Sequence, residues 1–293
     1  MSNALPILLA AGEATTRPEF AGIEDLSTFM TTLCGIGICV LLIWAGHAVV
    51  NPTKLKLIGS PGRRNNLTFF HVIGLFITAL FLSATIASLA AQGGIDNDLV
   101  TIIGGLAFPF LLGCGLFVAA PCFHNGAVSG MGFTARRWLN DSIRSVVTLL
   151  AVLPLCVALL IAAQQIIQLL NPDLMSSHAF LKILTDPDTP AVWSTLVIFA
   201  ALAAAPIGEE IFFRGVLQST LRSHLGRPWL AIIVASFLFA AMHMAVLESL
   251  PALFVLAIAL GYSYERTGRL LAPIVIHVLF NLVMVIDAVC NSS

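Results

Sequence analysis

Two adjacent carboxylates and an arginine, Glu209, Glu210 and Arg214, stand inside the apolar stretch 201–222 of a 293-residue chain. An ionised side chain at bilayer depth costs at least ~2.5 kcal/mol unless it is paired or hydrated. Residues four apart on a helix share a face, while neighbours diverge by about 100°. Glu210 and Arg214 therefore form an ion pair that supports the helix. Glu209 projects into another sector with no cation at the same spacing, and is the candidate reactive group.

Partners for Glu209 come from two later apolar stretches: His243 in FLFAAMH, and His277 with Asn281 in HVLFN. At ~1.5 Å of rise per residue, Glu209 lies roughly 20 Å from Arg222, His243 about 21 Å from Trp229, and Asn281 about 18 Å from Arg269. His277 is one turn shallower, so four groups from three helices share a layer. His277 and Asn281 are four apart and face one cavity, and Phe239, four before His243, supplies an apolar wall. A carboxylate, two imidazoles and a carboxamide at one depth suit hydrolysis: a base for water, a proton carrier, and donors for an oxyanion. Ser219, Ser236 and Ser263 lie in no nucleophile context such as GxSxG or SxxK.

In this order, GEEIFFRG, FLFAAMH and HVLFN resemble the EExxxR, FxxxH and HxxxN motifs of the CAAX protease and bacteriocin-processing family, over residues 193–289. The resemblance implies an intramembrane glutamic endopeptidase, typified by the eukaryotic enzyme that trims prenylated CAAX proteins. Carried over motif by motif, it implies Glu209 as the water-activating base and His243 as its partner. His277 and Asn281 would then stabilise the oxyanion, with Glu210 and Arg214 supporting the site. The implied partner is a membrane-associated peptide or protein, and no cofactor is implied. The resemblance transfers no particular substrate, since some bacterial members are associated with bacteriocin immunity or surface-protein handling.

Three other readings stay open at this point. Glu209, His243 and His277 also make a His₂Glu zinc set, although HExxH is absent and the ligands would come from three helices. A transporter with a Glu/His relay is a second, against which the lack of an internal repeat counts. A noncatalytic immunity or scaffold protein is the third.

The elements that must position these groups follow from composition. The chain is 58% hydrophobic and 10% charged, against roughly 25% charged residues in a soluble domain. Its fold class is all-α, a polytopic membrane bundle of about eight helices forming a single domain, 1–293. The apolar runs fall at 26–50, 67–91, 99–123, 144–170, 190–222, 229–247, 250–264 and 270–289. Lys54, Lys56, Arg63, Arg64, Arg136, Arg137, Arg144, Arg222, Arg227, Arg266 and Arg269 all fall on one side of this alternation, the inner one by the positive-inside rule. Acidic segments at 1–25, 93–98 and 171–189 fall outside, as do both termini. Trp44, Trp138, Trp193 and Trp229 sit near span ends, as interfacial aromatics do.

A multi-pass protein of a bacterial cytoplasmic membrane is expected, with the bilayer as its partner, and no basic tract points to nucleic acid. Cys34, Cys39, Cys114, Cys122, Cys156 and Cys290 show no metal or redox spacing, and the terminal CNSS lacks the aliphatic middle of a prenylation box. The N-terminal PILLA is too short for a cleaved signal core. His47, His71, His124, His178 and His224 lie at span ends or in loops, away from the proposed layer.

Overall fold

A computed structural model describes residues 23–50, 57, 59–122, 127–134, 137–172, 179–186 and 188–291, without the side chains of 23–31 and a few later positions. The acidic segment 1–22, Lys54, Lys56, His124, Arg136, Asp173 and His178 lie outside the described residues, as do the side chains of Cys34, Trp44 and His47.

Among the described residues there is no strand, and the architecture is a helical bundle. The helices are α1 (Ile23–Val50), α2 (Phe69–Gln92), α3 (Asn97–Ala119), α4 (Trp138–Leu170), the short α5 (Ala179–Thr185), α6 (Ala191–Leu225), α7 (Pro228–Ala241), α8 (Leu250–Thr267) and α9 (Leu271–Asn291). Helix α2 packs on α3, α3 on α6, and α4 on α1, α8 and α9. Large apolar side chains cover the outside: Phe70 is 88% and Leu169 86% exposed, which water would penalise and lipid accepts. Six helical segments among the described residues are long and apolar enough to cross a membrane, so the chain is an integral membrane protein.

Six such segments among the described residues do not confirm the expected count of eight. Helix α7 has only 14 residues where a span over 229–247 was expected. At ~1.5 Å per residue it rises about 21 Å, short of a bilayer core of ~30 Å. Its end has a local cause. The His243 backbone N–H donates to Ala240 O at 2.9 Å, one residue closer than an α-helix requires. The His243 ring Nδ1 lies 3.0 Å from the Phe239 carbonyl oxygen, which the Met242 N–H also reaches at 3.3 Å. A side chain thus helps to close the helix where the sequence reads as continuous apolar helix.

Helix α6 runs through the middle of the bundle, and every residue from 210 to 222 is buried. That is how the chain tolerates charge at this depth: the charged groups face protein, not lipid. Phe212, Phe213 and Val216 of α6 pack with Phe239 of α7 and Tyr264 of α8. A second core of Leu149, Leu153, Leu256, Leu260, Ile276 and Phe280 joins α4 to α8 and α9.

A polar ladder fixes α6 against α8. Arg214 Nη2 donates to Ala257 O (3.2 Å), Gln218 Nε2 to Gly261 O (3.0 Å), and Arg222 Nε to the Glu265 carboxylate (2.9 Å). Each rung is four residues after the last on both helices, so α6 and α8 run parallel and α7 is the return between them. That direction agrees with the alternation read from charge.

The basic loops gather at one end. Arg63 Nε donates to Gly268 O (2.8 Å), the Leu270 N–H to Gly132 O (3.1 Å), and Arg269 holds Asp141 through two hydrogen bonds. Asp141 pushes the Arg269 guanidinium above its ordinary range through that hydrogen-bonded pairing. Asn65, buried in the loop before α2, donates to Ser219 Oγ (2.6 Å) and accepts from Thr220 Oγ1 (3.1 Å). Ser60 Oγ donates to Glu265 (2.6 Å), so this loop is fastened to both members of the ladder. Gly268 closes α8 at φ +62°, donating its N–H to Tyr264 O, a left-handed conformation that a side chain would strain.

Candidate active site

The sequence of α6 shapes the site before any partner arrives. Its backbone widens into π-helical turns at Ala200–Ala204 and Ile211–Gln218, flanking the Glu209–Glu210 pair. In the first, the Ala205 N–H bonds Ala200 O, five residues back. Asn281 Nδ2 donates to the next carbonyl, Ala201 O, at 2.8 Å. Such turns leave backbone groups to be satisfied from outside and are frequent at functional sites. Asn281 thus commits one of its two amide hydrogens to joining α9 to α6.

Beside the carboxylates, the small residue Gly208 lets α3 approach closely. A Cβ there would stand 2.0 Å from Pro109 O, within α3. Pro109 also forbids a normal hydrogen bond in the middle of α3. The contact seats the backbone directly before Glu209 on a neighbouring helix.

His277 of α9 enters between the two glutamates. Its Nδ1 is 3.0 Å from Glu210 Oε1, and its Nε2 is 4.0 Å from Glu209 Oε2. Adjacent helical positions diverge by about 100°, which lets one imidazole present a nitrogen to each. Glu210 is wholly buried, and the same Oε1 accepts from Arg214 Nη1 at 2.8 Å. Arg214 is itself buried, with its guanidinium 4.8 Å from the Phe239 ring centroid. The expected pair of Glu210 and Arg214 is present, but it does more than brace a helix. Arg214, Glu210 and His277 form one chain of contacts that fixes the imidazole.

Glu209 differs from its neighbour in exposure and in partners. Its side chain is 14% exposed, against 0% for Glu210; each has an Oε2 that is buried without a hydrogen-bond partner, but the Oε1 of Glu210 is taken by Arg214 and faces His277 Nδ1. The residue that comes within 4.0 Å of Glu209 is His277, where the sequence pointed to His243. His243 lies around the same aromatic wall: Phe239 is 5.1 Å from its ring centroid and 5.6 Å from that of His277. Because a carbonyl only accepts, the His243 Nδ1 facing Phe239 O carries the proton, and the neutral ring has its lone pair on Nε2.

The sequence did not point to Gly208 or to the carbonyls of Ala201 and Ala257 that hold Asn281 and Arg214. A glycine directly before paired acids in the small-residue run AAAPIG was the available signal. Of the remaining histidines, His71 packs its Nδ1 2.7 Å from Thr68 Oγ1 at the start of α2, and His224 sits against Phe69. Among the described residues no group of three His, Cys, Asp or Glu side chains converges to hold a metal ion, so the donor geometry gives the zinc reading no support.

Fold and site together define a class: an all-helical membrane protein with paired glutamates and histidines in its interior. Residues 191–283 match the family model described as Type II CAAX prenyl endopeptidase Rce1-like, which bears out the resemblance carried by the three motifs. The chain is 33% identical over 99 residues to an uncharacterized 24.3 kDa protein of Escherichia coli, covering 33% of this chain and 45% of that one. It is 40% identical over 96 residues to the uncharacterized protein YpbD of Bacillus subtilis (strain 168), covering 32% of this chain and 42% of that one. The chain thus spans less than half the length of these curated relatives. No solved structure matches it.

Proposed function

We propose that this chain is an intramembrane endopeptidase of the CAAX prenyl protease type, with Glu209 as the base that activates water. The reading rests on one observation above the others. Glu209 presents a buried carboxylate oxygen without a hydrogen-bond partner 4.0 Å from a histidine whose far nitrogen faces Glu210, itself paired with Arg214. That separation is too long for a direct hydrogen bond and within the reach of one bridging water.

In the proposed reaction the water oxygen attacks the scissile carbonyl carbon as Glu209 takes its proton, giving a tetrahedral oxyanion. His277 Nε2, when protonated, and the second amide hydrogen of Asn281 donate to that oxyanion. Collapse breaks the C–N bond, and the proton held by Glu209 passes to the leaving amine directly or through His243 Nε2. Phe239 keeps the two imidazoles apart and dry, and burial strengthens each interaction there.

The substrate class that fits is a membrane-associated peptide or protein, and the membrane is a bacterial cytoplasmic one. The test compares the membrane peptides that accumulate in cells making wild-type or Glu209→Ala protein. A peptide cut only with the wild type supports the reading and identifies the substrate. Identical peptide inventories at equal protein levels would contradict it.

A further inference from the structure

The two sides of the glutamate pair differ in how tightly they are packed. Every residue of α6 from 210 to 222 is buried, whereas each of residues 201–205 is partly exposed, as is each of 281–285 on α9. The buried part is the inner one by the charge alternation, and it is fastened shut. Asn65 and Ser60 tie the loop before α2 to α6 and α8, and the Tyr264 hydroxyl donates to Met131 O at 2.9 Å. At ~1.5 Å per residue, about 20 Å of packed helix thus separates Glu209 from the inner surface.

The end of α7 fixes where the packing opens. Arg214 stacks one turn below Glu210, and Phe213 takes the same place below Glu209. Phe213 packs on Phe239 of α7, with ring centroids 5.1 Å apart. Helix α7 starts at the inner end, where Arg222 Nη1 donates to Gly226 O (2.7 Å), and stops at Ala241, two residues beyond Phe239. The face of α6 that α7 covers below Glu209 is therefore left uncovered by α7 above it. Where α7 ends, Met242 is 38% and Met244 63% exposed, with His243 partly buried between them. The rim of the gap is apolar.

Resting on the proteolytic reading, we infer that the substrate reaches Glu209 through this gap, from the outer half of the membrane, and is an exported, membrane-anchored peptide or protein. With Glu209 roughly 20 Å from Arg222 in a core of ~30 Å, the scissile bond lies about 10 Å beneath the outer surface. An apolar rim at that depth suits a chain coming out of lipid, and the water that hydrolysis consumes has its shorter way in from outside. A C-terminal box prenylated on the cytoplasmic side would instead have to cross the sealed inner end.

The test has two arms, the first blind to catalysis. Full-length protein with its native cysteines replaced carries Met244→Cys and meets a membrane-impermeant thiol reagent on intact cells and on inverted vesicles. Asp96→Cys and Arg227→Cys mark the outer and inner sides. Met244→Cys should react on intact cells; reaction on inverted vesicles alone, or on neither, would overturn the opening. Met242→Cys repeats the measurement should Met244→Cys not fold. Leu217→Cys, at a position buried below the glutamates, should react on neither side before unfolding, and its reaction on inverted vesicles would contradict the sealed inner end. The second arm maps the new chain ends of peptides that differ between wild-type and Glu209→Ala cells. Those ends should fall in the outer half of a membrane span, and ends on the cytoplasmic side would overturn the substrate class. Labelling of Met244→Cys from outside together with identical peptide inventories would leave the opening standing and sink the proteolytic reading instead.

Discussion

His277 meets a carboxylate at each ring nitrogen, and the two carboxylates are not equivalent. Glu210 is wholly buried and its Oε1 is shared between Arg214 and His277, so it acts through other side chains; Glu209 is partly exposed and has no arginine partner within ion-pair distance. Glu210→Ala leaves the Arg214 charge buried without its counterion, a loss of about 3–5 kcal/mol. Denaturant unfolding in detergent measures this, and a loss under ~1 kcal/mol would mean that Arg214 finds compensation elsewhere. Asn281→Ala removes both a donor to Ala201 O and a proposed oxyanion donor. The first costs about 1–3 kcal/mol of stability, and the second about 2.7–4 kcal/mol of transition-state stabilisation. Unfolding and cleavage rates measured on the same preparation separate the two, and a loss of stability alone would make Asn281 a purely structural residue. The residue types at this scale were legible because charge at bilayer depth is expensive. Their pairing was not, because a histidine three helices further along the chain could meet either neighbour.

At the scale of the element, α6 departs from a regular helix where the chemistry is proposed, with π-helical turns on both sides of Glu209 and Glu210. Those turns were invisible in the sequence, since apolar periodicity does not distinguish i→i+4 from i→i+5 bonding over a few residues. The early end of α7 was hidden for a related reason: FLFAAMH reads as helix until the His243 ring is seen to reach the Phe239 carbonyl. The close approach of α3 to α6 at Gly208 depends on one missing methyl group. Gly208→Ala must push Pro109 and Glu209 apart, costing about 1–3 kcal/mol by overpacking. Cleavage should fall with it, because displacement reaches the residue next in sequence. Unchanged unfolding midpoint and rate would mean that the two helices can part freely there.

For the whole molecule, charge alternation predicts a direction for every long helix, and the parallel ladder of α6 and α8 agrees with it for those two. What it missed was the length of α7, 14 residues, because counting apolar residues does not reveal where a turn is made. In a cysteine-free background, Asp96→Cys should react with a membrane-impermeant thiol reagent on intact cells, and Arg137→Cys and Arg227→Cys only after permeabilisation. Labelling of Arg137→Cys on intact cells would reverse the topology. The central claim concerns Glu209, and its most direct measurement is peptide cleavage by purified wild-type and Glu209→Gln protein in detergent, with unfolding followed in parallel. The amide keeps volume and hydrogen bonding but cannot accept the proton of water. Glu209→Gln should unfold like the wild type and cut nothing; wild-type cleavage by an equally stable Glu209→Gln protein would contradict the assignment of Glu209 as the base.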